Sequence, residues 1–289
     1  MSMLSDVSVR CYAKVNIGLK VLPRRGDGFH NIESIFQTVA FYDDLNVHVL
    51  AEKNVCKVEC GEMMLPQHNT LTATYEAFVR LTGKGTGVRV KVIKRIPAGG
   101  GLGGGSSNAA SFLRALARLN DVVLTDSLAD AVAEQVGSDV FFFLHCGDDG
   151  TGAALVSGRG EVVTPIAPRN DLHCILIFPD VHSSTKEAYA LVDEEMKSGM
   201  VCFYPNFKEY ESIYRSSPQK WTFANSFTSA LTKKYPAIAT ALADMKKSGA
   251  TWSDMTGSGA VVFGVYEAAE ASKKAFIELQ SKWKHCILV

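Results

Sequence analysis

No apolar run in the chain approaches the roughly 18–20 residues that a membrane-spanning helix needs, so a membrane protein is not expected. Net charge is also lacking. Thirty Lys and Arg balance thirty Asp and Glu, which leaves no global basic field to attract nucleic acid or an anionic membrane surface. Neither is expected as a partner, and small-molecule chemistry is. The opening Met-Ser-Met-Leu-Ser-Asp6 has neither a signal-peptide nor an arginine-rich transit pattern, so a cytoplasmic location is expected. The seven cysteines, an odd number scattered from Cys11 to Cys286, lack zinc spacing. Cys56-x-x-x-Cys60 and His145-Cys146 have no partner pair, and reduced structural thiols are the reading. Internal repeats and low-complexity tracts are absent as well. What remains is the profile of a globular protein, 47% hydrophobic and 21% charged over 289 residues, long enough for two domains with their own cores. A monomer and a homodimer both fit.

The most informative stretch is Ile96-Pro-Ala-Gly-Gly-Gly-Leu-Gly-Gly-Gly-Ser-Ser-Asn-Ala-Ala110. Six glycines between Gly99 and Gly105 are costly in any regular element, but they suit a backbone that takes left-handed angles and comes close to a bulky group. Val88–Ile93 alternates like a strand before them. Ala109, Phe112, Leu113, Leu116 and Leu119 recur at helical spacing after them, with Asn120 as a stop. A strand, a glycine turn with Ser106 and Ser107 and a helix start aim free N–H groups at one point, which suits a phosphate. Gly99-x-Gly101-x-x-Gly104 with Asp126 also matches the dinucleotide fingerprint. The loop, however, lies a third of the way along the chain rather than in a first βαβ unit. A Walker-type loop requires a lysine that is missing before Ser106, and a linker would not run straight into an amphipathic helix.

Other segments frame this loop. From Val7 to Leu22 the residues alternate, with Cys11, Ala13, Val15, Ile17 and Leu19 on one face. Lys14 and Asn16 lie on the other, as a solvated surface or as paired functional groups. Turn-rich Pro23–Gly28 ends in Phe29-His30. Strands are expected around Thr38–Tyr42, Leu45–Val49 and Val55–Glu59, and a helix from Leu71 to Gly83. Ser127 and Gly137 bracket another helix. Asp139 then stands before apolar Val140–Leu144, either capping a turn or held for chemistry. A change of style at Pro165–Pro168 divides the chain into domains 1–165 and 166–289. Beyond it come a strand at His173–Phe178, a helix through Tyr189 and Met196, and a helix from Pro236 to Gly249. The glycine turn Met255–Ala260, a strand at Val261–Tyr266, a helix at Glu267–Gln280 and a strand at His285–Val289 follow. The class is α+β.

Taken together, Ala13-Lys-Val-Asn16, the Pro97–Ala110 loop and Met255-Thr-Gly-Ser-Gly259 resemble the kinase superfamily named after galactokinase, homoserine kinase, mevalonate kinase and phosphomevalonate kinase (GHMP). The doubled Gly-Gly-Gly-Leu-Gly-Gly-Gly, Arg25-Gly-Asp-Gly-Phe-His30 and Gly137-Ser-Asp-Val140 narrow the likeness to the family that acts on a cytidine-diphosphate-linked methylerythritol. The resemblance implies a two-domain fold, with an N-terminal domain like the second domain of ribosomal protein S5 and a ferredoxin-like C-terminal sandwich. It also implies phosphorylation by ATP and Mg2+ of the 2-hydroxyl of that small molecule, in non-mevalonate isoprenoid synthesis. On it, Asp139 is the base and Lys14 its partner, with Asn16 beside the substrate. Residues Pro97, Gly99, Gly100, Gly101, Leu102, Gly103, Gly104, Gly105, Ser106 and Ser107 wrap the ATP phosphates, and Asn69 and Lys94 contact the adenosine part. Phe29 and Tyr189 close on the two faces of cytosine while His30 hydrogen-bonds its edge. Two departures stand out: Asn225-Ser226 where the family commonly has Asn-Asp, and Phe141 where it has proline.

Overall fold

Two long strands, β1 (Val7–Arg24) and β2 (His30–Lys53), open the chain and pair with each other. The computed structural model describes residues 6–61, 65–199 and 203–289. The stretch read above for a leader and Cys202 lie largely outside them. The chain groups into two units, one of Met1–Ala13, Ala40–Ala98 and Gly103–Thr151, the other of Lys14–Val39, Gly99–Leu102 and Gly152–Val289. A single cut at residue 165 follows chain order but not this grouping, because β1 and β2 each lend one end to each unit. The strands expected at Thr38–Tyr42 and Leu45–Val49 are parts of the one strand β2.

In the first unit the far half of β2 pairs antiparallel with β4 (Thr86–Ile93), from Asp44↔Ile93 to Val49↔Val88. The short β3 (Cys56–Glu59) runs parallel along β4. Alternation puts Val88, Val90 and Val92 beside Leu45 and Val47 on one face, packed with Leu71 and Phe78 of α1 (Thr70–Thr82) and Phe112, Leu113 and Leu116 of α2 (Gly104–Leu119). The helix α3 (Asp126–Val136) is capped by Thr125, whose Oγ1 accepts from the Leu128 N–H, rather than by Ser127. The apolar run after Asp139 is a short helix, α4 (Ser138–Leu144), which buries Val140, Phe141, Phe142 and Phe143.

In the second unit the near half of β2 pairs with β5 (Ala153–Ser157), which pairs with β6 (Val162–Ile166). Another antiparallel sheet has the order β10 (Cys286–Leu288), β7 (His173–Ile177), β9 (Val262–Tyr266), β8 (Trp252–Met255). Five helices accompany it among the described residues: α5 (Thr185–Lys197), α6 (Tyr210–Arg215), α7 (Ser226–Lys234), α8 (Pro236–Lys247) and α9 (Ala269–Lys282). Ile175, Leu176, Ile177, Phe263 and Leu279 are buried here. The α+β class stands. The strands β5, β6 and β8 and the helices α6 and α7 went unanticipated. The largely exposed β6 carries Pro165, which an end strand tolerates because it needs no second ladder.

Candidate active site

The polar face of β1 is exposed at Ser8 and Arg10 but closed over at Lys14 and Asn16. Lys14 is 3% exposed and Asn16 fully buried. The Lys14 ammonium donates to Asn16 Oδ1 at 2.8 Å and lies 4.5 Å from the centre of the Phe36 ring. Asn16 in turn receives Thr256 Oγ1 at 3.1 Å, its own N–H donates to that hydroxyl at 3.1 Å, and its Nδ2 reaches Ser34 Oγ at 3.4 Å. A buried ammonium requires such partners, since leaving it unpaired costs far more than exposing it.

Around this pair the three motifs converge within the second unit. The Lys14 N–H donates to the Leu102 carbonyl at 2.9 Å, and Thr256 Oγ1 lies 3.2 Å from the Gly101 carbonyl oxygen. Gly101 has φ +76°, and a Cβ there would lie 2.2 Å from the Thr256 carbonyl oxygen. Glycine is demanded at this position by both angle and space. Lys14–Asn16, Gly101–Leu102 and Thr256–Gly257 thus form one close-packed cluster.

Gly103 to Ser107 continue the loop in the first unit. Gly103, at φ +70°, precedes α2 with no side-chain cap and no acidic residue in the first turn. Ser107 N–H bonds the Gly103 carbonyl at 2.9 Å. The preceding N–H groups of α2 have no intrahelical acceptor, and they carry the positive end of a sixteen-residue helix. An anion is what such an end accepts. Pro97 is exposed and Ile96 buried beneath Gly104. Asp139, half-buried, occupies the first turn of α4 in this unit.

The two residues expected at the adenosine part, Asn69 and Lys94, have partners within the protein. Asn69 caps α1: its Oδ1 accepts from Leu71 and Thr72 N–H at 3.0 and 3.2 Å, and its Nδ2 donates to the Pro66 carbonyl at 3.0 Å. The Lys94 ammonium bonds Asp43 Oδ2 at 2.6 Å and Asn108 Oδ1 at 3.4 Å. Asp43 itself escaped the sequence reading, although it shares the apolar face of Leu45 and Val47, where a carboxylate signals a buried partner.

At the expected cytosine site the aromatic rings have neighbours of their own. Tyr189 stacks on His30, with centroids 5.1 Å apart at 23°, and meets Phe227 edge-on. His30 Nδ1 lies 2.8 Å from the Leu22 carbonyl, which only accepts, so Nδ1 carries the proton. Nε2 faces Asp193 Oδ1 at 3.3 Å. Phe29 is 50% exposed, with the Arg159 guanidinium 3.9 Å over its ring. Arg159 and Asp193 were missed because each lies far in sequence from the residue it serves.

The GHMP kinases N terminal domain matches residues 69–147, and the GHMP kinases C terminal domain matches residues 208–285. The chain belongs to the GHMP kinase family. This kinase is 37% identical to a 4-diphosphocytidyl-2-C-methyl-D-erythritol kinase of Treponema pallidum, with 99% of each chain covered. It is also 37% identical to the protein of that name from Thermotoga maritima over 88% of this chain and 90% of that one. A solved 4-(cytidine 5′-diphospho)-2C-methyl-D-erythritol kinase superposes with a TM-score of 0.78 at 27% identity, covering 98% of both chains. GHMP kinases are ATP-dependent phosphotransferases, and this one is an enzyme of that class. No helix among its described residues is long and apolar enough to cross a membrane.

The two departures have local explanations. Ser226 Oγ accepts from the Val21 N–H at 2.8 Å and bonds the Tyr204 hydroxyl. A carboxylate stands nearby from another strand: Asp254 receives the Asn225 N–H at 2.8 Å and the Thr228 hydroxyl at 2.6 Å. Phe141 packs as a buried residue of α4. Burial pushes the thiols of Cys11, Cys56, Cys146 and Cys174 up to about 12 and that of Cys286 to about 11, so they stay protonated and poor ligands.

Proposed function

We propose that this GHMP kinase transfers the γ-phosphoryl group of ATP to the 2-hydroxyl of 4-diphosphocytidyl-2-C-methyl-D-erythritol, giving the 2-phosphate and ADP in non-mevalonate isoprenoid synthesis. The observation that carries the reading is 37% identity over essentially the whole chain to a kinase of that name. The uncapped α2 terminus and the aromatic surface of Phe29, His30 and Tyr189 support it. The reaction is placed in the cytoplasm and needs neither nucleic acid nor a membrane.

Phosphoryl transfer rests on positioning and on stabilising developing charge. The acceptor is a tertiary alcohol, a weak nucleophile until its proton has a destination. Asp139 takes that proton, and Lys14 favours the nascent alkoxide. N–H groups of the loop from Gly99 to Ser107 and the α2 dipole bear the charge of the ATP phosphates. Magnesium arrives as part of the MgATP substrate, held mainly by phosphate oxygens and water. Asn16 fixes Lys14 and borders the alcohol. Cytosine, bound far from the reacting oxygen near Phe29 and Tyr189, aligns the attack through remote binding.

The test is ATP consumption by the purified protein with Mg2+ and the cytidine substrate, alongside Asp139→Asn. The wild type should turn over and the variant should fall by about 10²–10⁴-fold, the usual worth of general base catalysis. Activity only on an alcohol without cytidine would refute the substrate, and full activity of Asp139→Asn would refute its role as base.

A further inference from the structure

We propose that Asp43 is the positioning residue of the ATP loop, a single buried carboxylate that ties down the chain on both sides of the glycines. This rests on the reading that the loop binds ATP. Asp43 lies one step beyond the last β2–β4 pairing, Asp44↔Ile93, which puts it beside Lys94. It is fully buried, and among the described residues its hydrogen bonds go to the loop's two flanks. Its Oδ1 accepts from the Arg95 N–H at 2.7 Å and the Ile96 N–H at 2.9 Å, where the chain leaves β4. Its Oδ2 accepts from the Lys94 ammonium at 2.6 Å and from Asn108 Nδ2 at 3.0 Å, the latter in the second turn of α2.

The consequence falls on Gly104, the first residue of α2. A Cβ on it would lie 2.8 Å from Ile96 Cγ2 and 3.1 Å from Lys94 Nζ, so its backbone rests on those two side chains. Both are set by Asp43, one through its N–H and the other through its ammonium. The height and tilt of the helix end that presents N–H groups to phosphate therefore depend on this carboxylate. An amide in its place cannot do the same, because its NH2 would face donors and its one oxygen cannot serve both flanks.

The test compares kcat and the KM values for ATP and for the cytidine substrate in wild type, Asp43→Asn, Asn108→Ala and Gly105→Asp, with melting temperatures. Gly105 is exposed, and a Cβ there would meet Thr70 at an ordinary 3.6 Å, so Gly105→Asp folds and repels phosphate. Asp43→Asn should raise the KM for ATP about tenfold or more, the equivalent of one lost hydrogen bond to a charged phosphate, and leave the other KM unchanged. Asn108→Ala should give a smaller rise in the same constant. A purely structural role would lower the melting temperature with both KM values intact, and that result overturns the proposal. If Asp43→Asn does not fold, Asn108→Ala decides: no selective rise in the KM for ATP overturns it. If Gly105→Asp also leaves that KM unchanged, the ATP-loop reading itself has failed.

Discussion

At the scale of the residue, Phe29 carries the sharpest claim about specificity. Its ring is half exposed and is held on one side by Arg159, a cation–π contact worth about 0.5–1 kcal/mol at such a site. That leaves one aromatic face for a base. Stacking on such a face contributes about 1–3 kcal/mol. Phe29→Ala is therefore expected to raise the KM for the cytidine substrate roughly tenfold to hundredfold, with the KM for ATP unmoved and Phe29→Tyr close to wild type. Equal effects on both constants would remove Phe29 from the base site. His30 is anchored by the Leu22 carbonyl at Nδ1 and by the Tyr189 ring against its face, with Asp193 beside Nε2.

At the scale of the element, legibility followed the range of the forces involved. The period-two run of β1, the helical spacing of α2 and the glycine stop of α1 are local, and each was readable. That Lys14 and Asn16 are buried was not, because what buries the polar face of β1 includes Thr256, 240 residues away. The phosphate loop was visible from its glycines, whereas Asp43, which holds its flanks, looked like one of many strand carboxylates. Asn69 has a structural duty that the sequence did not show. The family resemblance assigns it to adenosine, but the structure spends its side chain on a capping box with Thr72 at the start of α1. Asn69→Ala is thus expected to cost about 1 kcal/mol of stability, a fall of about 2–4 °C in melting temperature, with the KM for ATP near wild type. A large rise in that KM at unchanged melting temperature would return Asn69 to the nucleotide.

At the scale of the whole molecule, Asp254 ties stability to pH. Its carboxyl lies at the start of α7, where it takes N–H groups from Asn225 and Met255 and the hydroxyl of Thr228. These donors favour the charged form, but full burial outweighs them and pushes its pKa from 3.8 up to about 6. A folded-state value above the unfolded one means that the folded chain holds this proton more tightly. The stabilisation is complete below about pH 3.8 and is lost as pH rises through about 6. A rise of that size corresponds to at most about 3 kcal/mol. Asp254→Asn removes the titration and adds a pH-independent offset, because its amide NH2 faces a donor. The stability of wild type minus that of the variant, taken from urea unfolding at several values between pH 4 and 7.5, should therefore fall as pH rises and level off above about 6.5. A difference that stays flat across that range would mean that Asp254 is ionised throughout, its three donors outweighing the loss of water.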